Sequence, residues 1–269
     1  MSESLEKKLI EDLEKSGFML EVDVLNELME KGWIVYPQYT YVASQTNKIR
    51  AIDMVAHPIE FYRHVPRLMI ECKSTKEKNW VFFIPPVISF NKDVQDLKQL
   101  NSINMTFLKA NISLQSSLCK FHPEVLKNSD PVKKLEVSCT IIPRTHFTNR
   151  VPLAYACHVS HIKNSGARPE DEINGFRNAV LQLNSAYLGT KLGDDSPVFL
   201  CIVFRGNMFA LDEKKNLKLV KHIAFVNLTE ENNVQAPPAY IDVVSDSYFL
   251  TYLDIIKKDM DICIGRDRK

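Results

Sequence analysis

Hydrophobic positions recur at helical spacing over the first thirty residues and at shorter periods afterwards. Glu3 to Lys15 predicts a first helix with a narrow apolar stripe, Leu5, Leu9 and Leu13, ended by Gly17. Met19 to Lys31 predicts a second, closed by Gly32, the residue type favoured just past a helix end. Within it Glu21, Leu25 and Leu28 fall on the stripe expected to face a sheet, and Asp23, Asn26, Glu27 and Glu30 on the wet side. Gly32-Trp33-Ile34-Val35-Tyr36-Pro37 then opens a first strand, Ile49 to Ala56 reads as a second and Leu68 to Lys73 as a third. Trp80 to Ile84 is a strand-like aromatic run stopped by Pro85-Pro86, and is expected to pack in the core, with stacking on exposed bases as the alternative.

Signals are mixed over the next stretch, with a helix expected at Asp93 to Leu100 and strands at Leu135 to Ile142 and Leu153 to Ser160. Ile173 to Leu183 predicts another helix. Val198 to Phe204 is an unbroken apolar run of the kind found in a strand buried on both faces. Arg205-Gly206-Asn207 suggests a hairpin turn into Met208 to Leu211, followed by strands at Leu217 to Val226 and Tyr240 to Val244. Ser245 or Asp246 is expected to cap a last helix through about Lys258, with Phe249, Tyr252, Leu253 and Ile256 as its apolar face. Strands interleaved with helices imply an α/β fold. With no clear linker, residues 1–269 read as one domain, its core at about 17–84 and 168–259 and an insertion at about 85–160.

Four charged residues stand where this pattern predicts burial. Glu71 and Lys73, at the end of an apolar strand, share one face because side chains two apart on a strand point the same way. Asp53 shares a face with Ile49, Ala51 and Val55, and Glu21 lies on the inner stripe of its helix. Ion pairs are costly to bury and a fold does not need them for stability, so the set is a candidate site. The same Glu-x-Lys spacing at Glu6/Lys8 and Glu213/Lys215 lies in polar surroundings and reads as solvated surface. The competing reading for the quartet is a structural ion pair between Lys73 and Glu71 or Asp53.

Hard carboxylate oxygens suit Mg²⁺, with Mn²⁺ as a substitute, and Mg²⁺ is typically held by one or two carboxylates plus water and substrate phosphate. Asp53 and Glu71 are the expected ligands, with the main-chain carbonyl of Cys72 between them and Glu21 completing the shell directly or through water. Lys73 would orient or, with a depressed pKa, deprotonate the attacking water, or stabilise charge developing on a phosphate.

In order and placement these residues resemble the PD-(D/E)xK nuclease superfamily, the restriction-endonuclease-like fold. The resemblance rests on Glu21 on a helix, a strand opening at Trp33, Ile52-Asp53 on a second strand and Glu71-Cys72-Lys73 on a third, and covers roughly the first eighty residues. Ile52 replaces the name-giving proline, and Glu-x-Lys replaces the Gln-x-Lys of many Mrr-like enzymes. The resemblance implies a mixed central sheet flanked by helices, with an insertion after the third core strand, the second core helix at 173–183 and the fourth core strand at 197–204. It also implies a Mg²⁺-dependent deoxyribonuclease, most plausibly an endonuclease in defence, recombination or repair, with Glu21, Asp53, Glu71 and Lys73 as its catalytic residues. The alternative is a catalytically inactive module on the same fold that binds nucleic acid or protein.

Apolar content of 45% with 25% charged residues is that of a globular protein. No apolar stretch reaches the roughly 20 residues of a membrane span, and the acidic start at Met1-Ser2-Glu3 is unlike a secretory signal, so no membrane partner and a cytoplasmic location are expected. A net charge of +1 argues against an indiscriminate DNA binder and requires local clusters of cations. Arg50, Lys76 and Lys78 are the candidate nucleic-acid contacts, with Arg63 and Arg67 nearby, and a homodimer or partner protein is compatible with the neutral charge. Cys119, His122, Cys139, His146, Cys157, His158 and His161 have loosely permissive spacing for zinc, but without a Cys-x-x-Cys pair buried thiols and packed imidazoles are the better account. No glycine-rich phosphate loop is present in the sequence.

Overall fold

The computed structural model describes residues 3–43, 46–59, 67–84, 151–161, 173–190, 198–227 and 239–263. The expected helix at 93–100 and strand at 135–142, and with them Cys119, His122, Cys139, His146 and Arg63, lie outside the described residues. Helices α1 (Glu3–Ser16) and α2 (Phe18–Glu30) precede strands β1 (Trp33–Ala43), β2 (Lys48–Pro58) and β3 (Arg67–Phe83). Then come β4 (Leu153–Ala154), β5 (Ala156–His161), α3 (Ile173–Gly189), β6 (Val198–Leu211), β7 (Leu217–Leu219), β8 (His222–Asn227), β9 (Ala239–Ser245) and α4 (Phe249–Cys263). The result is an α/β fold on an open, mixed sheet in the order β1-β2-β3-β6-β9-β8-β4, with β5 paired to β3 and β7 to β6. Among the described residues no helix is long and apolar enough to cross a membrane.

Two cores lie on the two faces of the sheet. One gathers Met69, Leu200, Ile202, Phe204 and Val243 under Phe176, Ala179, Leu183 and Ala186 of α3. The other gathers Leu68, Ile70, Cys72, Cys201 and Val203 under Leu20, Val24 and Leu28 of α2 and Phe249, Tyr252 and Ile256 of α4. The unbroken apolar run of β6 therefore serves both faces, as its composition predicts. A buried polar chain also crosses the second core, with Tyr252 donating to Asp242 Oδ2 at 2.9 Å and His222 Nε2 2.8 Å from Asp242 Oδ1.

Several boundaries differ from the expectation. Trp80 to Phe83 is not a separate strand but the far end of a 17-residue β3, with Ile84 just past it, and Trp80 and Phe82 are core residues. Arg205-Gly206-Asn207 is not a turn: β6 runs straight through it alongside β3. The reason is a bulge in β3 between Ser74, opposite Arg205, and Asn79, opposite Asn207, which absorbs the extra residues on the β3 side alone. Gly206 is needed there because a Cβ would lie 2.5 Å from the Phe204 ring, which stacks on Trp80 at 3.8 Å. The hairpin comes later, where Asp212 Oδ1 accepts the N–H groups of Lys214 and Asn216 and Lys215 adopts φ +62°.

Leu217 to Val226 divides into β7 and β8, which pair with different neighbours, and Leu153 to Ser160 divides likewise into β4 and β5. Ser245 makes no side-chain cap, and a 3₁₀ turn over Asp246–Tyr248 leads into α4. Gly17 (φ +82°) serves as the hinge into α2 in the left-handed region. The α1 stripe is less buried than its pattern suggests, with Leu5, Leu9 and Leu13 more than two-fifths exposed. On α2 the buried stripe is Leu20, Val24 and Leu28, and Glu27, expected in water, is half-buried on its flank.

Candidate active site

Strand β3 pairs with β6 on both sides of its bulge, at Arg67–Ser74 and Asn79–Phe83, but its other edge changes partner. The β2 ladder ends at Met54 opposite Ile70, and β5 begins at Lys78 opposite His161. Among the described residues, 71–77 have no neighbour on this edge and form a notch in the sheet, which the Glu71-Cys72-Lys73 segment opens. Continuing the register would set Asp53 opposite Glu71. There the carboxylate replaces a backbone partner, and Asp53 Oδ2 accepts the N–H of Cys72 at 2.7 Å. Because the N–H and C=O of one strand residue point to the same side, the Cys72 carbonyl is directed into the notch as well.

The alternation of β2 breaks at this point. Ile52 and Val55 pack in the α3-side core although three residues apart, whereas Met54 packs in the other. Asp53 therefore does not share a simple apolar face with Ile49, which is 77% exposed. On β1 the matching irregularity is Gln38, with φ +48°. Its side-chain amide donates to Glu21 Oε2 at 2.9 Å, which brings the helix glutamate to the mouth of the notch.

Glu21, Asp53, Glu71 and Lys73 are thus brought together and are electrostatically coupled. Lys73 Nζ donates to Glu71 Oε2 at 2.8 Å, with the glutamate side chain fully buried and the lysine about a quarter exposed. The second oxygen, Glu71 Oε1, is buried with no hydrogen-bond partner among the described residues. Burial and the neighbouring Asp53 carboxylate push the Glu71 carboxyl up to about 7, against the pull of Lys73 and of the Asp53 backbone N–H. Burial likewise raises Asp53, against the Cys72 N–H and Lys73, and partial burial with Asp53 raises Glu21. Burial pulls Lys73 down, but Glu71 and Asp53 outweigh it and leave the ammonium above its ordinary value. Of the roles expected for Lys73, orienting water or stabilising charge on a phosphate fits this direction better than acting as base, because two carboxylates face the ammonium.

A buried carboxylate oxygen without a partner, a second carboxylate at the same strand fork and a main-chain carbonyl directed between them make a hard-oxygen donor set suited to Mg²⁺ or Mn²⁺. Among the described residues no three His, Cys, Asp or Glu side chains form a ready-made metal cluster. Two carboxylates, a carbonyl and water nonetheless suffice for Mg²⁺, which seldom takes an all-protein cage.

Comparison with models of protein families, with curated protein sequences and with solved structures gives no match to this chain. The site therefore rests on its own geometry.

Of the proposed nucleic-acid contacts, Arg50 is exposed on β2 and Lys78 is half-buried, while the Lys76 side chain lies outside the described residues. Cys157 is half-buried against the α3-side core and His158 is exposed on β5, so the two face opposite ways, and the side chain of His161 is not among those described. Cys72, Cys157 and Cys201 are free thiols. Sequence reasoning missed Arg205. Its Nε donates to Asp246 Oδ2 at 2.7 Å and its Nη2 to Asp23 Oδ2 at 2.8 Å. The available signal was an arginine following six consecutive apolar residues, all buried on β6, but the turn-like Arg-Gly-Asn sequence obscured it.

Proposed function

We propose that this chain is a Mg²⁺-dependent phosphodiesterase acting on DNA, an endonuclease with a restriction-endonuclease-like core of the PD-(D/E)xK type. The observation that carries the reading is the notch at residues 71–77, where Asp53, Glu71 and Lys73 converge from two strands and Glu21 from a helix. Asp53, Glu71 and the Cys72 carbonyl would hold the metal, with Glu21 reaching it directly or through water. Bound there, the ion would supply Lewis-acid polarisation of a phosphate and a more acidic water.

The remaining work falls to the protein. Asp53 is fixed by the Cys72 N–H and so presents its other oxygen to the notch. Glu71 keeps one oxygen on Lys73 and, among the described residues, has no hydrogen-bond partner for the other, which suits it to take a ligand without breaking the ion pair. Lys73, kept charged by Glu71 and Asp53, suits stabilisation of a developing oxyanion and orientation of a water rather than abstraction of its proton. Arg50, exposed near the start of β2, and Lys78, at the end of the bulge that borders the notch, would be the contacts to backbone phosphates.

The test is cleavage of supercoiled, linear and single-stranded DNA by wild type, Asp53→Ala and Lys73→Ala in Mg²⁺, Mn²⁺ or EDTA. Metal-dependent cutting abolished by both substitutions supports the reading. A folded wild type that cuts nothing in any metal refutes it. The closed Lys73–Glu71 pair favours one other reading, a non-catalytic binding module on the same core, which expects DNA binding without cleavage that survives EDTA.

A further inference from the structure

Arg205 lies on β6 opposite Ser74, one step beyond the Lys73 position of the neighbouring strand. It bridges two carboxylates from different elements: Asp23 of α2 and Asp246 of the 3₁₀ turn before α4. Glu21 and Asp23 are two residues apart on α2, about 200° around the helix, so they leave from nearly opposite flanks. The buried stripe Leu20, Val24 and Leu28 seats the helix between them. One flank is pinned to the sheet through Asp23 and Arg205, and the other reaches Gln38 and the notch through Glu21.

Burial along a single stripe is non-directional and by itself does not fix the last few degrees of a helix's roll about its own axis. A directed guanidinium–carboxylate contact adds an angular constraint; the Arg205–Asp23 pair is about two-fifths to a half open to water, and Arg205 is held at the same time by Asp246, itself under a third exposed. A side-chain tip lies roughly 6 Å from the helix axis, so a roll of about 10° displaces it by about 1 Å. A misplacement of that size in a catalytic group costs on the order of 100-fold in rate. Arg205 also faces an acidic neighbourhood: Asp23, Asp246 and Glu30 hold the half-buried Glu27 above its ordinary pKa, after burial itself, and Arg205 opposes them. Without its cation, repulsion among these carboxylates would push α2 away from the turn that precedes α4.

We infer that Arg205 is a positioning residue that sets the rotation of α2 through Asp23 and thereby places Glu21 at the notch. This deepens the nuclease reading and, for its kinetic consequence, rests on it.

The test has one arm that needs no activity. In protein labelled with ¹⁵N-glutamine, the side-chain amide of Gln38 reports whether Glu21 is in place, with Gln38→Ala assigning the signals and Glu21→Ala giving their position when the contact is absent. Arg205→Met is expected to move the Gln38 signals toward the Glu21→Ala position, and Asp23→Asn to do the same in a fold that keeps Arg205. Arg205→Lys, which reaches one carboxylate but not both, is expected to fall between. Gln38 signals at their wild-type position in folded Arg205→Met, or in Asp23→Asn if Arg205→Met does not fold, overturn the inference.

In the kinetic arm, Mg²⁺-dependent cleavage of supercoiled DNA should fall about 10- to 100-fold in Arg205→Met. It should fall no further, within about twofold, when Arg205→Met is added to Glu21→Ala, since one acts through the other. Independent, multiplying losses overturn the inference. Absence of cleavage by wild type refutes the nuclease reading, and the Gln38 signals still decide the role of Arg205.

Discussion

Replacing Glu71 with glutamine should make the protein more stable at slightly alkaline pH while removing its proposed metal-dependent activity. Glu71 is fully buried, and its carboxyl is pushed from 4.5 to about 7, chiefly by burial and then by Asp53. A carboxyl whose folded-state pKa is raised binds its proton more tightly folded than unfolded. Its contribution is most favourable below about pH 4.5 and is lost as pH rises toward 7. Linkage over this shift amounts to about 3 kcal/mol at pH 8 and under about 1 kcal/mol at pH 5. Glutamine is close in shape to the protonated acid and does not titrate, so Glu71→Gln avoids the loss.

The assay is urea unfolding of wild type and Glu71→Gln in EDTA at pH 5 and pH 8. The two proteins should nearly coincide at pH 5 and differ by about 3 kcal/mol at pH 8 in favour of the variant, or roughly 6–12 °C in Tm for a chain of this size. A variant equal to or less stable than wild type at pH 8 would refute the reasoning. It would mean that the Lys73 pair outweighs the cost of burying the charge.

Other substitutions separate strong terms from weak ones. Gly206→Ala places a methyl group 2.5 Å from the Phe204 ring and should disturb its stacking on Trp80, lowering stability by about 1–3 kcal/mol in thermal or urea unfolding. Leu183→Ala on α3 should cost about 2–5 kcal/mol, because the side chain is fully buried against the sheet. Lys31→Ala removes a pair with Asp254 that is open to water on both sides and should change stability by less than about 1 kcal/mol. Asp53→Ala and Lys73→Ala should each lower DNA cleavage by at least about 100-fold with circular dichroism unchanged.

The sequence by itself determined the helices that begin the chain, the strands at 49–56 and 68–73, and the identity of four charged residues set against an apolar pattern. Local periodicity carries this information because the 3.6-residue and two-residue repeats are properties of the backbone alone. It placed Glu21, Asp53, Glu71 and Lys73, which the fold brings to one notch. Only the tertiary structure decided which strand edges meet. The continuation of β3 through Trp80, the run of β6 through Arg205-Gly206-Asn207 and the division of 217–226 between two neighbours all depend on the bulge at 75–78 and on which partner each edge finds. Such pairings are non-local and leave no period in the sequence. The face of Asp53, the half-burial of Glu27 and the charge held on Lys73 belong to the same class. Each is set by groups distant along the chain, whose proximity appears only when α2, β2, β3 and β6 are packed together.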